Sequence, residues 1–287
     1  MRAIWPGALL VCYLAATGIL LIAEWERVPP GGVALHFVLL AAIATATWVR
    51  LVPRWLQAWA PLIALLFLYT EMPMLIRAVG HQQLYDTTVI GWESALLGGQ
   101  PALDWASRWP SRALSELLHL SYLSYYPIIF SVPAALLLTS RRAEFNEAVF
   151  ILMLTFVVCF LWYVAFPVAG PRYLLSNSRT GTGGPIRSAV LWLLETRSSR
   201  GTAFPSSHVA VAVAQSILAI RYFGARGSFV AVLSAGIGIG AVYGGFHYAV
   251  DVIAGAILGA TTAGVGIGVV RWLGRRSAPQ ANATAPT

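Results

Sequence analysis

The chain of 287 residues contains no lysine; all 19 of its basic residues are arginine. It is also poor in charge of either sign. Only 10% of its residues are charged, 58% are hydrophobic, and the mean hydropathy is +0.71, which excludes an ordinary soluble domain and places the chain in the membrane class. Cysteine is nearly absent. Cys12 and Cys159 lie inside apolar runs, far apart and without metal-ligand spacing, so they read as small buried hydrophobes. There is no internal repeat of the kind that builds a solenoid. The net charge of +8 does not signal nucleic acid, because the arginines sit between apolar runs, where they report membrane topology.

What is present is a series of apolar runs, each near the roughly 20 residues that cross a hydrocarbon core. They cover 4–23, 32–49, 57–76, 114–138, 149–169, 204–223, 229–246 and 251–273. The predicted fold class is therefore all-α, a polytopic membrane helix bundle of about eight transmembrane helices. The first run is too long for a signal-peptide core and no clear cleavage site follows it, so it is expected to be a retained helix. An even number of spans puts both termini on one side, with ten arginines against only Glu144 and Glu147. The other side balances nine arginines with nine acidic residues and holds the long loops 77–113 and 170–203. The positive-inside rule then predicts cytoplasmic termini and long loops outside the cytoplasmic membrane. The small, polar tail SAPQANATAPT is expected to be disordered.

Loop 77–113 mixes tryptophan and leucine with charges, which suggests short amphipathic helices at the membrane interface; a plain connector is the other reading. Glycine is concentrated late in the chain. Gly236, Gly240 and Gly244, then Gly255 and Gly259, recur at four-residue steps that let helix backbones approach closely.

Ionisable residues in or beside spans are costly and usually functional. Those expected on the outer side are His208, His247, Asp251 and Arg172, with Arg200, Glu71 and His119 as further candidates. In HYAVD, His247 and Asp251 are four apart, on one face if the segment is helical, so the carboxylate orients one ring nitrogen and presents the other. That suits a nucleophilic or basic histidine; a buried polar pair closing a helix junction is the alternative. In FPSSH, Pro205 at a first helical turn is followed by Ser206, Ser207 and His208. Amides at a helix start favour an anion, so this reads as a phosphate cradle beside a proton donor, or as an ordinary Pro-Ser cap. In FPVAGPR, Arg172 follows a Gly-Pro turn expected to stop the helix, and it is either an interface anchor or a phosphate clamp. A zinc site from His208, His247 and Asp251 is conceivable, but neither HExxH nor a Cys/His cluster supports it.

Together these segments resemble the type-2 phosphatidic acid phosphatase superfamily, whose patterns are Lys-x6-Arg-Pro, Pro-Ser-Gly-His and Ser-Arg-x5-His-x3-Asp. FPSSH and HYAVD match the cores of the second and third. Within that superfamily the chain is most similar to the inositol phosphorylceramide synthase (inositolphosphotransferase) branch, over about residues 69 to 260, including YTEMPMLIR, LGGQP, LSYLSYYP and HYAVDVIAG. The resemblance implies a six-helix catalytic core over 57–273, preceded by two extra helices in 1–56 and followed by a cytoplasmic tail over 274–287. It implies that His247 attacks phosphorus, Asp251 orients it and His208 protonates the leaving oxygen, with neither metal nor organic cofactor. Ser206, Ser207, Arg172 and Arg200 would bind phosphate.

The implied partner is a membrane lipid with a phosphate head group, together with an alcohol or polyol acceptor in the transfer branch. Plain lipid phosphate hydrolysis, and non-catalytic binding or transport of an anionic lipid, are the competing functions. Departures from the phosphatase pattern favour the synthase-like branch. Ala165 stands where the first motif has lysine, Tyr173 replaces its proline, and Gly240 and Ala241 replace the Ser-Arg pair of the third.

Overall fold

A computed structural model describes residues 4–49, 52–81, 83–174 and 183–276. The described residues form an α-helical bundle in the order α1 (Ile4–Ala23), α2 (Pro30–Trp48), α3 (Arg54–Thr70), α4 (Met72–Val79), α5 (Asp86–Leu97), α6 (Pro101–Arg108), α7 (Arg112–Leu123), α8 (Tyr125–Leu138), α9 (Arg142–Ala165), α10 (Pro185–Arg197), α11 (Ser207–Phe223), α12 (Ser228–Tyr243) and α13 (Ala249–Arg276). Two of the expected spans are broken. α3 and α4 meet at a 53° bend, and α7 and α8 at a 42° bend.

By length and apolarity, five helical stretches among the described residues can cross a membrane, and seven if each bent pair counts as one span. One of the five, Ser207–Tyr243, turns back on itself. A Cβ on Gly227 would meet the backbone of Ala219, and one on Gly238 would meet Val209, so α11 and α12 run antiparallel. Counting them separately yields eight crossings, as the apolar runs predict. Many large apolar side chains remain exposed, among them Ile19, Leu66, Leu138 and Val232, as expected of helices that face lipid rather than water.

Four of the five stepped glycines do what their spacing predicts, whereas Gly244, just past the end of α12, meets the ring of Phe246 instead. A Cβ on Gly236 would lie 2.9 Å from Ser121, and one on Gly240 would lie 2.4 Å from the Leu118 carbonyl, so α12 lies backbone to backbone against α7. Gly255 and Gly259 likewise press α13 onto Ser206 and Ala210 of α11, at 2.4 and 2.1 Å. The constant offset between these pairs makes α11 and α13 parallel. Both therefore begin at the same end of the bundle, where α9 and α12 finish.

Three boundaries differ from the sequence expectation. α9 ends at Ala165 rather than at the Gly-Pro turn, because Phe166 precedes Pro167 and the residue before proline is pushed out of the α region. Pro205 lies outside α11, whose cap is Ser206; its hydroxyl oxygen accepts from the Val209 amide at 3.4 Å. α13 continues to Arg276, so the first residues of the expected tail are helical, while 277–287 lie outside the described residues. Within 77–113 the expected short helices are present as α5 and α6.

Candidate active site

Three segments distant in sequence are laced together at one end of the bundle. The first, 167–172, leaves α9 and carries Arg172. Its Val168 forms a parallel bridge with Thr202, and the Ala203 amide donates to the Val168 carbonyl at 2.9 Å. That bridge ties it to the second segment, 201–208, which leads into α11 and His208. The Ser206 amide in turn donates to the Asp251 carbonyl at 3.0 Å, joining the second segment to the third, 244–251.

His247 stands just before α13 rather than within it, so the pairing does not arise from a shared helix face. Asp251, in the first turn, points back over the helix start. Its Oδ2 accepts from the Tyr248 amide at 2.9 Å and lies 3.4 Å from His247 Nδ1. The imidazole is thereby oriented with Nε2 left over. Asp251 is fully buried, and its Oδ1 has no partner.

The His208 ring lies 5.8 Å from that of His247, centroid to centroid. It is stacked on Tyr122 at 5.0 Å and packed against Tyr125 at 4.1 Å. The Tyr122 hydroxyl is 3.2 Å from His208 Nε2, and Nδ1 of His208 is buried without a partner. The Tyr/Ser-rich run LSYLSYYP thus forms the wall behind one catalytic candidate. His119, one turn earlier, donates from Nδ1 to the Ser115 carbonyl at 2.6 Å and packs edge-on to Phe246.

Arg172 lies within electrostatic reach of His208 and Tyr122. Its guanidinium donates to the Leu194 carbonyl at 3.1 Å and also meets Tyr173 and Ser198. Arg200 is exposed and stands over the Tyr173 ring at 5.6 Å. Ser206 and Ser207 are buried. Their amides already hold partners, Ser206 on Asp251 and Ser207 on the Tyr163 hydroxyl at 3.2 Å. The anion cradle expected at this helix start is therefore partly filled by the protein itself. Among the described residues no group of three or more His, Cys, Asp or Glu side chains has metal-holding geometry.

A family model of the PAP2 superfamily matches residues 87–265, well over half of the chain. The chain belongs to the PAP2 superfamily. Comparison with the curated proteins and with the solved structures returned no match. PAP2 membership makes this a chain of a phosphatase-type enzyme family, and the matched stretch contains Arg172, His208, His247 and Asp251. It begins within α5, leaving α1 to α4 outside it.

The PAP2 chain also holds site residues that its motifs do not announce. Asp86 and Glu93 are seven apart and share one face of α5, and that face points inward. Asp86 accepts from the amides of Ala169 and Gly170, both at 2.9 Å, and from the Tyr248 hydroxyl at 3.1 Å. Glu93 accepts from the Ala249 amide at 2.6 Å, capping α13. Burial pushes the Glu93 carboxyl up from its ordinary value, the Ala249 amide opposes this, and the Asp251 charge adds to it. The signal was present as a seven-residue spacing of carboxylates in the mixed apolar and charged loop 77–113.

The missing Ser-Arg pair also has a physical explanation. Gly240 is where the α7 backbone comes closest, and a Cβ there would lie 3.5 Å from that of Tyr122 as well as striking Leu118. Ala241 beside it is fully buried, and its carbonyl accepts from the amides of Phe246 and His247. At position 240 the volume that a larger side chain would need is taken by the helix that brings Tyr122 to His208.

Proposed function

We propose that this chain is a membrane lipid phosphotransferase or phosphatase working through a phosphohistidine at His247. The observation that carries this reading is the state of His247, held at Nδ1 by Asp251 and 5.8 Å from the His208 ring, with Nε2 left over. In the first step the Nε2 lone pair attacks phosphorus while the bond to the leaving oxygen breaks. His208, as general acid, gives that oxygen its proton. In the second step water or an alcohol attacks the phosphohistidine, His208 takes the attacking proton, and the P–N bond breaks. Arg172 stabilises the equatorial oxygens, which is where phosphoryl-transfer catalysis chiefly operates. Ser206 and Ser207 line the base of the phosphate site, and Arg200 serves as an outer contact that draws the anionic head group in.

The branch is the inositol phosphorylceramide synthase-like one, with a phosphate-bearing lipid as donor and an alcohol or polyol as acceptor. Its support is the wall of Tyr122 and Tyr125 packed against His208, a surface suited to a neutral hydroxylated partner, together with the absence of the motif cations at Ala165 and Ala241. The arginine distribution supports cytoplasmic termini and a reaction centre on the extracytoplasmic face of the inner membrane.

The test uses purified protein in detergent with phosphatidic acid and phosphatidylinositol, each with and without an added hydroxyl acceptor, and mass spectrometry of the lipid products. Head-group transfer that requires the acceptor assigns the synthase-like branch, and phosphate release alone assigns a lipid phosphatase. Lipid binding with no product from any substrate would leave the protein a binder and overturn the reading.

A further inference from the structure

We infer that α5 is an integral part of the reaction centre and that Asp86 is a positioning residue, holding the segment that bears Arg172 in register with the segment that bears His247. The inference rests on the reading of His247 as nucleophile. Asp86 divides its carboxylate between the two segments. Oδ2 takes the Ala169 amide, and Oδ1 takes both the Gly170 amide and the Tyr248 hydroxyl. These partners lie two and three residues before Arg172 and one residue after His247. A single rigid group thus fixes the spacing between the phosphate clamp and the attacking nitrogen.

The surroundings leave that spacing little freedom. Gly170 has φ of +96°, and a Cβ there would lie 3.2 Å from both Ala203 and the Phe246 carbonyl, so the Arg172 turn is pressed against the chain entering His247. Glu93, two turns further along α5, pins the far end through the Ala249 amide. The outer side of α5 is held by rings. Tyr85 and Trp92 stack on Phe166 at 4.3 and 5.5 Å, and Trp92 also meets Phe204. Tyr85, the cap of α5, donates its amide to the Pro167 carbonyl at 2.9 Å.

All three partners of Asp86 are donors. Only a group that accepts on both oxygens satisfies them, and asparagine would turn an N–H toward one of the donors. In-line attack by His247 and the Arg172 contact must be met together, and a displacement of about 1 Å in such an arrangement costs about a hundredfold in rate.

The test compares Asp86→Asn, Tyr248→Phe and the double variant as full-length protein in detergent, with phosphatidic acid and with phosphatidylinositol plus the hydroxyl acceptor as substrates and orthovanadate as the transition-state probe. Asp86→Asn is expected to lower kcat by about tenfold or more, with KM changed by less than about threefold, and to weaken vanadate inhibition by the same factor as kcat. Tyr248→Phe is expected to lower both to a smaller extent. Its bond exists only through Asp86, so the double variant should be no worse than Asp86→Asn alone. Unchanged kcat and vanadate inhibition per folded molecule, or losses that multiply in the double variant, would overturn the inference. If Asp86→Asn does not fold, Tyr248→Phe decides by the same two readouts. His247→Ala, run alongside, separates the failures. An active His247→Ala removes the underlying reading, whereas an inactive one beside unimpaired Asp86 and Tyr248 variants removes only the inference.

Discussion

Among the described residues, two buried histidine and carboxylate pairs differ in what is left of the imidazole. His36 in α2 gives Nδ1 to Glu71 at 3.0 Å and Nε2 to the Leu14 carbonyl of α1 at 2.9 Å, and it is fully buried. His247 spends Nδ1 on Asp251 and keeps Nε2. An imidazole with both nitrogens engaged is a fastener, and one with a nitrogen in reserve is free to act as a reagent. The first pair joins α1 and α2 to the break between α3 and α4. Close by, Tyr69, two residues before Glu71, is 3.2 Å from the Thr202 hydroxyl and accepts from the Ser199 amide. That segment leads directly to His208.

The largest expected effect separates these roles. His247→Ala should abolish lipid turnover per folded molecule, by about 10⁴-fold or more, whatever stability is lost by leaving Asp251 on the Tyr248 amide alone. His36→Ala should cost about 3 kcal/mol by leaving Glu71 buried and unpaired, while the folded fraction keeps its turnover. Lipid product analysis and thermal unfolding in detergent read the two arms. Full turnover in His247→Ala, or loss of turnover without loss of stability in His36→Ala, would break the comparison.

Replacing both members of a pair sharpens it. A His36→Leu, Glu71→Met protein should recover most of the stability lost by His36→Ala, since apolar residues of similar size commonly substitute for a buried ion pair at little cost. A His247→Leu, Asp251→Met protein should remain inactive however well it folds.

Next come the glycines that set the distance between helices. Gly240→Ala places a methyl group 2.4 Å from the Leu118 carbonyl and should cost about 1–3 kcal/mol through overpacking, with a loss of activity as α7 carries Tyr122 away from His208. Gly264→Ala, where a Cβ meets nothing within 4 Å, should leave stability unchanged or raise it by about 0.5–1 kcal/mol. Equal losses at both positions would mean that the close approach of α12 to α7 does not matter. The smallest effect is expected of Tyr122→Phe. Removing its hydroxyl from His208 should lower kcat/KM by about fivefold, the worth of one hydrogen bond of about 1 kcal/mol.

The legible parts of the molecule were those governed by solvent or by repeating geometry. Apolar length predicts the spans, and the small-residue step predicts where α12 and α13 approach their neighbours. HYAVD and FPSSH point to His247, Asp251 and His208 because their spacing and helix-start chemistry are local. Less legible were groups whose meaning depends on a distant partner. His36 is one histidine in an apolar run until Glu71, 35 residues later, meets it. Asp86 and Glu93 are two carboxylates in a loop until α5 docks against Pro167 and Ala249. The breaks at Glu71 and Ser124 were hidden as well, because each polar dip falls inside a run that is still long and apolar enough as a whole to span.

By itself the sequence determined that this chain is a membrane helix bundle, where its apolar runs lie, and which local motifs are candidates for acid, base and nucleophile chemistry. These follow from transfer free energy and helix periodicity, both local properties of the chain. Only the tertiary structure decided which histidine is fastened and which is available, and why Gly240 takes the place of a larger residue. It also decided that Asp86 ties the Arg172 turn to Tyr248. Each of these depends on contacts between segments tens of residues or more apart, whose meeting is set by the packing of the whole bundle.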